Sequence, residues 1–261
     1  MWLEKLARFG YAAKGLVYAV VGVLAVQAAF GQGGKTTDTK GALGTIAAQP
    51  FGKFLLALVA FGLIGYVVWR FVQAFKDPEH KGNDAKNLAR RAGYGISGLI
   101  YASLAFSAIR LLIGSGGDRS STSSQQDWTA RLLSQPFGQW LVGLIGAVVL
   151  GLGFYQFYKA YKAKFRKQMK LNEMSATEET WATRIGRFGV AARGVVFTMS
   201  GFFLLQAARQ SDSSQVQGLD GTLQSLIQQP HGPWLLGIVA LGLVAYGIHM
   251  GVQARYGRII A

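Results

Sequence analysis

Six apolar runs, each about as long as a bilayer core is thick at roughly 20 helical residues, constrain this chain more than any other feature of it. They lie near residues 10–30, 51–75, 92–113, 137–161, 188–208 and 231–253, separated by polar stretches rich in Gly, Ser, Thr, Lys and Asp. Helices of a soluble core carry one apolar stripe, whereas these runs are apolar all round, the pattern that suits lipid. Composition agrees: 51% of the 261 residues are hydrophobic, only 15% are charged, and 35 are Gly, the residue that lets membrane helices approach closely. Such a balance excludes a disordered chain. The absence of Cys excludes a disulfide scaffold, a thiolate metal site and a Cys nucleophile.

The runs fall into a threefold internal repeat. Arg8-Phe9-Gly10-Tyr11 opens the first run, Arg91-Ala92-Gly93-Tyr94 the third and Arg187-Phe188-Gly189-Val190 the fifth. Seven residues after each Arg stands Gly15, Gly98 or Gly194, and ten after it Tyr18, Tyr101 or Phe197. The even-numbered runs open on Gln49-Pro50-Phe51-Gly52, Gln135-Pro136-Phe137-Gly138 and Gln229-Pro230-His231-Gly232, with Phe54, Trp140 or Trp234 four residues past each Pro. Each unit is a two-helix hairpin, spanning 8–75, 91–161 and 187–256, with connections at 76–90 and 162–186. Because the first run recurs inside the chain, it reads as a retained span and not as a cleaved secretion signal. Short amphipathic stretches at 42–48, 128–134 and 222–228 precede the Gln-Pro pairs. They are expected to lie at the outer surface, with Pro starting the next span.

Basic residues orient the chain. Lys5, Arg8 and Lys14, the connection residues Lys76, Lys81, Lys86, Arg90 and Arg91, seven more between Lys162 and Arg187, and Arg255 and Arg258 share one side. The other side holds only Lys35, Lys40, Lys53, Arg119, Arg131 and Arg209. Both termini are therefore expected in the cytoplasm, in the cell's inner membrane or one derived from it. Orientation accounts for much of the net charge of +15, with anionic lipid headgroups as the expected partner and no role for nucleic acid. Two spans per unit send all three units across in the same direction. The expected fold is an all-α six-helix bundle with pseudo-threefold symmetry about the membrane normal.

At these Arg-x-Gly-x-x-x-x-Gly openings and Gln-Pro-[Phe/His]-Gly starts, the chain resembles, over essentially its whole length, a bacterial membrane family called domain of unknown function 1206. The resemblance implies three copies of a two-helix transmembrane unit. It brings no activity, cofactor or functional residues.

Candidate chemistry is sparse. Gly34-Lys35-Thr36 looks like the end of a phosphate loop, but Ala29 stands where the leading Gly is needed, and the tripeptide lies in a loop between spans. His80, His231 and His249 share no spacing that pairs ligands on one helix face. His249 takes the repeat position of Trp69 and Tyr155, 19 residues past each Pro. It reads as a belt aromatic, with a pigment or haem ligand as the sharper alternative. No Asp or Glu lies within a run, which argues against a carboxylate proton relay. Lys14, Arg70, Arg110 and Arg193 sit near run ends and are expected to snorkel. Nineteen residues after each repeat Arg come Gln27, Arg110 and Gln206, a polar ring for an anion or lipid headgroup if that face points inward, or else a wet outer rim. Gln73, Lys159 and Gln253 repeat the pattern at the inner end.

No Gly-x-Ser-x-Gly is present and no His is placed to activate Ser97, Ser103 or Ser107, so enzymatic chemistry is not expected. The expectation is a non-enzymatic scaffold, accessory subunit or lipid- or cofactor-binding protein, its cofactor unknown. The alternative is a channel or carrier for a small anionic or neutral solute. Mitochondrial carriers also use three two-span repeats, but their Pro-x-[Asp/Glu]-x-x-[Lys/Arg] signature is missing: Gly follows two residues after Pro50, Pro136 and Pro230.

Overall fold

A computed structural model describes residues 2–76, 84–115 and 121–258. His80, Lys81 and Arg119 of the sequence reading lie outside the described residues. Every long element among the described residues is helical: α1 (Trp2–Ala29), α2 (Thr39–Ala47), α3 (Gly52–Phe75), α4 (Ala85–Leu112), α5 (Ser121–Leu133), α6 (Gly138–Tyr161), α7 (Ala176–Gln210), α8 (Leu219–Ile227) and α9 (Gly232–Tyr256). Six of them, α1, α3, α4, α6, α7 and α9, are long and apolar enough to cross a membrane. The odd-numbered runs begin earlier as helices than their apolar stretches do. α7 starts on a Ser175–Glu178 capping box, in which Glu178 N–H donates to Ser175 Oγ at 3.2 Å and Ser175 N–H to Glu178 Oε2 at 2.8 Å.

The Gln-Pro-x-Gly corners differ from the expectation that Pro starts the next helix. Gly52, Gly138 and Gly232 are the first helical residues, and their N–H groups donate to the carbonyls of Gln49, Gln135 and Gln229 at 2.7, 2.9 and 2.7 Å. Pro is thus the second residue of a tight turn. The third residue, Phe51, Phe137 or His231, has φ near +60 (59, 64 and 63°). Gly follows because the chain folds back onto the short helix: a Cβ on Gly138 would lie 1.8 Å from the Leu132 carbonyl oxygen, and one on Gly232 2.0 Å from that of Ile227. We predict that Gly138→Ala, which must push two backbones apart, lowers stability by about 2 kcal/mol. A thermal melt that matches the wild type would show that the corner yields freely.

The short helices also differ from surface-lying helices. Leu43 and Ile46 of α2 and Leu223 and Leu226 of α8 are buried in one apolar cluster with Val17, Val21, Leu56, Leu104 and Leu243. They plug one end of the bundle. None of α5's residues joins that cluster, and its Trp128 is 66% exposed. At the other end lie the start of α1, the end of α9 and the segment between α6 and α7. There two of the three repeat arginines cap helix ends: Arg8 Nη1 donates to Ala254 O of α9 at 2.8 Å, and Arg91 Nε to Ala74 O of α3 at 2.7 Å, placing cations on helix carboxyl ends. We call this end the terminal face.

Neighbouring helices run in the order α4, α3, α1, α9, α7, α6. The series stops there, because α6 and α4, the two helices of the second hairpin, are not packed against each other. Repeat positions explain why. In the first hairpin Gly10 meets the backbone of Tyr66 and Gly62 meets Ala13, so that added Cβ atoms would lie 2.6 and 2.5 Å away. The third hairpin repeats this with Gly189 on Tyr246 (2.4 Å) and Gly242 on Ala192 (2.2 Å). The second hairpin has Ile96 where the others have Ala13 and Ala192, Val148 in place of Gly62 and Gly242, and Leu152 in place of Tyr66 and Tyr246. Branched side chains at two crossing points hold the helices off. A Cβ on Gly93, the counterpart of Gly10 and Gly189, meets nothing within 4 Å. Small residues tighten other seams. Gly15 and Gly247 face each other's carbonyls across α1 and α9, whereas a Cβ on Gly251, one turn further along α9, would meet open space.

Candidate functional site

The terminal half of the bundle holds a cavity of about 180 Å³ to which all six long helices contribute. Its walls include Lys14 of α1, Arg70 and Gln73 of α3, Tyr94 of α4, Gln156 and Lys159 of α6, Arg193 of α7, Tyr246, His249 and Gln253 of α9, and Arg258 beyond it. Five cationic side chains line it, and no carboxylate is among its described lining residues.

Tyrosines hold three of these cations, Lys14, Arg70 and Arg193, in place. Lys14, only 3% exposed, donates from Nζ to Tyr66 Oη at 3.0 Å and lies 4.7 Å from the ring centres of both Tyr66 and Tyr101. Arg70 donates to the same phenol from Nε at 2.8 Å and from Nη2, and its Nη1 donates to Gln73 Oε1 at 2.9 Å. Its guanidinium stacks 5.2 Å from the Tyr94 ring. In the third hairpin Arg193 Nη1 donates to Tyr246 Oη at 2.7 Å, over Phe197 and Tyr18, while its buried Nε has no protein partner among the described residues. Lys14–Tyr66 and Arg193–Tyr246 are one contact made twice, six residues after the repeat Arg and sixteen after the Pro. Ser97 and Leu152 stand there in the second hairpin and cannot form it.

The inner triad of the sequence reading, Gln73, Lys159 and Gln253, converges on this cavity together with His249. His249 is 1% exposed, so it is no belt residue, and buried Trp69 is none either; of that repeat position only Tyr155 is exposed. The His249 ring packs edge-on against Phe165 at 4.7 Å. Its Nε2 lies 3.2 Å from Gln253 Nε2, and its Nδ1 faces Gly186 without a hydrogen-bond partner among the described residues. The outer triad is not drawn together by any hydrogen bond among the described residues. Arg110 is exposed and donates to Ser115 O at 2.9 Å, while Gln27 and Gln206 are half-buried.

Snorkelling is the wrong reading for Lys14, Arg70 and Arg193, which turn inward to tyrosines. Tyr66, Tyr246, Tyr94 and Gln156 were missed altogether. Aligning the first and third repeats would have found Tyr66 and Tyr246, because a basic residue and a Tyr recur together at matched positions, Lys14 with Tyr66 and Arg193 with Tyr246.

The family model for Domain of Unknown Function (DUF1206) matches the chain three times, at residues 9–77, 92–163 and 188–257. A similar protein, the uncharacterized protein YxxB of Bacillus subtilis (strain 168), is 40% identical over 255 residues, which cover 98% of this chain and 91% of that one. No solved structure matches. With three matches that coincide with the three structural hairpins, the chain belongs to the family described as Domain of Unknown Function (DUF1206).

Proposed function

We propose that this chain is a six-span inner-membrane protein with cytoplasmic termini and pseudo-threefold helix order, and that it binds an anionic ligand of the phosphate class in the cavity at its terminal face. The observation that carries the reading is five cationic side chains around one cavity whose described lining lacks a carboxylate. Withdrawing charges from water costs several kcal/mol each unless an opposite charge offsets it. Tyrosine hydroxyls and ring faces supply only partial negative charge. Three guanidiniums, those of Arg70, Arg193 and Arg258, present flat donor forks suited to phosphate or carboxylate oxygens. The apolar cluster under α2 and α8 closes the bundle beyond the cavity, which supports a site reached from one side more than an open channel. This is a reading of binding, not of catalysis.

Inorganic phosphate tests it. At 100 times its dissociation constant a ligand of the folded state adds about 2.7 kcal/mol. The purified protein should therefore melt several degrees higher in phosphate than in chloride of equal ionic strength. Arg70→Gln should abolish most of that difference. Equal melting in both salts, or an equal gain in Arg70→Gln, overturns the proposal.

A further inference from the structure

We infer that the unpaired face between α4 and α6 is the seat of an anionic phospholipid, its phosphate in the cation cavity and an acyl chain in the cleft; this rests on the anion-binding reading above. α4 and α6 both line the cavity yet do not pack on each other, so helix contact does not seal its wall there. On α6, Val148, Leu152, Gln156 and Lys159 follow one another at helical spacing along a single face. The first two are 55% and 47% exposed, and the last two line the cavity. The face therefore runs from apolar to cationic toward the terminal face. Opposite it, α4 offers Gly93, Ser97 and the 59%-exposed Ile96, with Tyr94 in the cavity wall. The eleven helical steps from Val148 to Lys159 rise about 16 Å, which is one leaflet of a hydrocarbon core roughly 30 Å thick.

The occupant must be anionic at one end and apolar along one leaflet. A free phosphate or soluble metabolite would meet the cations but has no use for the cleft. A second protein's helix would fill the cleft but brings no charge. In the first and third hairpins the same position is closed by Gly–Ala contacts and a cation–tyrosine pair. The second hairpin has lost both.

Native mass spectrometry of protein extracted from vesicles of phosphatidylglycerol and phosphatidylcholine in equal parts tests this. Phosphatidylglycerol should be retained by the wild type. Ile96→Ala with Val148→Gly, which restores the small crossing residues, should lower that retention roughly tenfold or more by excluding the acyl chain. Gly93→Phe is a second route to the same end. It fills the cleft from a position with open space around it, so it leaves the packed hairpins untouched. Stabilisation by inorganic phosphate should survive in both variants. Retention unchanged in both, or equal retention of phosphatidylcholine, overturns the lipid inference and leaves anion binding standing. If phosphate stabilises neither the wild type nor the variants, the anion-binding reading falls first and this one with it.

Discussion

Gly189→Leu should lower the thermal midpoint by on the order of 10 °C or prevent assembly, whereas Gly93→Leu, at the same repeat position, should leave it unchanged or raise it. At Gly189 a Cβ would sit 2.4 Å from the backbone nitrogen of Tyr246, and at Gly10 2.6 Å from that of Tyr66. Backbone atoms cannot rotate aside as a side-chain tip can, so α7 and α9 must separate. Separation would pull Tyr246 Oη from Arg193 as well. Overpacking of this kind costs about 3 kcal/mol, and each kcal/mol moves the midpoint of a chain this size by roughly 2–4 °C. Gly93 has no neighbour to displace, and replacing a helical Gly by Leu gains up to about 1 kcal/mol of propensity. The comparison separates packing from propensity, because both substitutions make the same chemical change on a long apolar helix. Equal destabilisation at the two sites would mean that the second hairpin is as tightly closed as the others.

The division of labour among the repeats explains what was legible in the sequence. The six long helices follow from run length, and the hairpin units from the Arg-x-Gly and Gln-Pro-x-Gly spacings, which the turn geometry at Gly52, Gly138 and Gly232 accounts for. Membrane helices are apolar on lipid-facing and helix-facing sides alike, so periodicity could not say which way Lys14 or Arg70 points. Position along the span suggested a snorkelling cation, and the structure turns both inward because Tyr66 offers one shared acceptor. Departures from the repeat held more information than its matches. Ile96, Val148 and Leu152 are unremarkable as apolar residues, yet each is larger than, or lacks the hydroxyl of, its counterparts, and together they open the second hairpin. The inner polar triad was found for the same reason the outer one was, by offset alone. The inner one lies among Lys14, Arg70 and Arg193 around one cavity, which gives it an electrostatic role.

Removing one oxygen from Tyr66 should cost more than any other conservative change at the cavity. Tyr66 is fully buried, and its hydroxyl accepts from both Lys14 and Arg70. Tyr66→Phe leaves the Lys14 ammonium without the hydrogen bond that holds it and with only ring faces nearby. Stranding a buried charge in this way costs about 3–5 kcal/mol. Tyr246→Phe should cost about half as much, since Arg193 is only half-buried and retains its stacking on Phe197 and Tyr18. Arg193 gives up a single charged hydrogen bond, a loss of about 1.5–3 kcal/mol. If the penalty at Tyr66 arises from the stranded ammonium, Lys14→Met should be far less damaging in the Tyr66→Phe background than that hydroxyl's loss is in the wild type. It removes the unpaired charge, keeps the volume and relieves repulsion from Arg70 and Arg193. The double variant should then recover most of the lost stability, with a coupling of about 2 kcal/mol between the sites. Strict additivity of the two changes in thermal melts would show that Tyr66 stabilises the bundle by packing alone. The cations would then be held by water or lipid and not by the phenol. Recovery, by contrast, places the charge itself at the origin of the cost, and a cost of that kind is what an anionic ligand would offset.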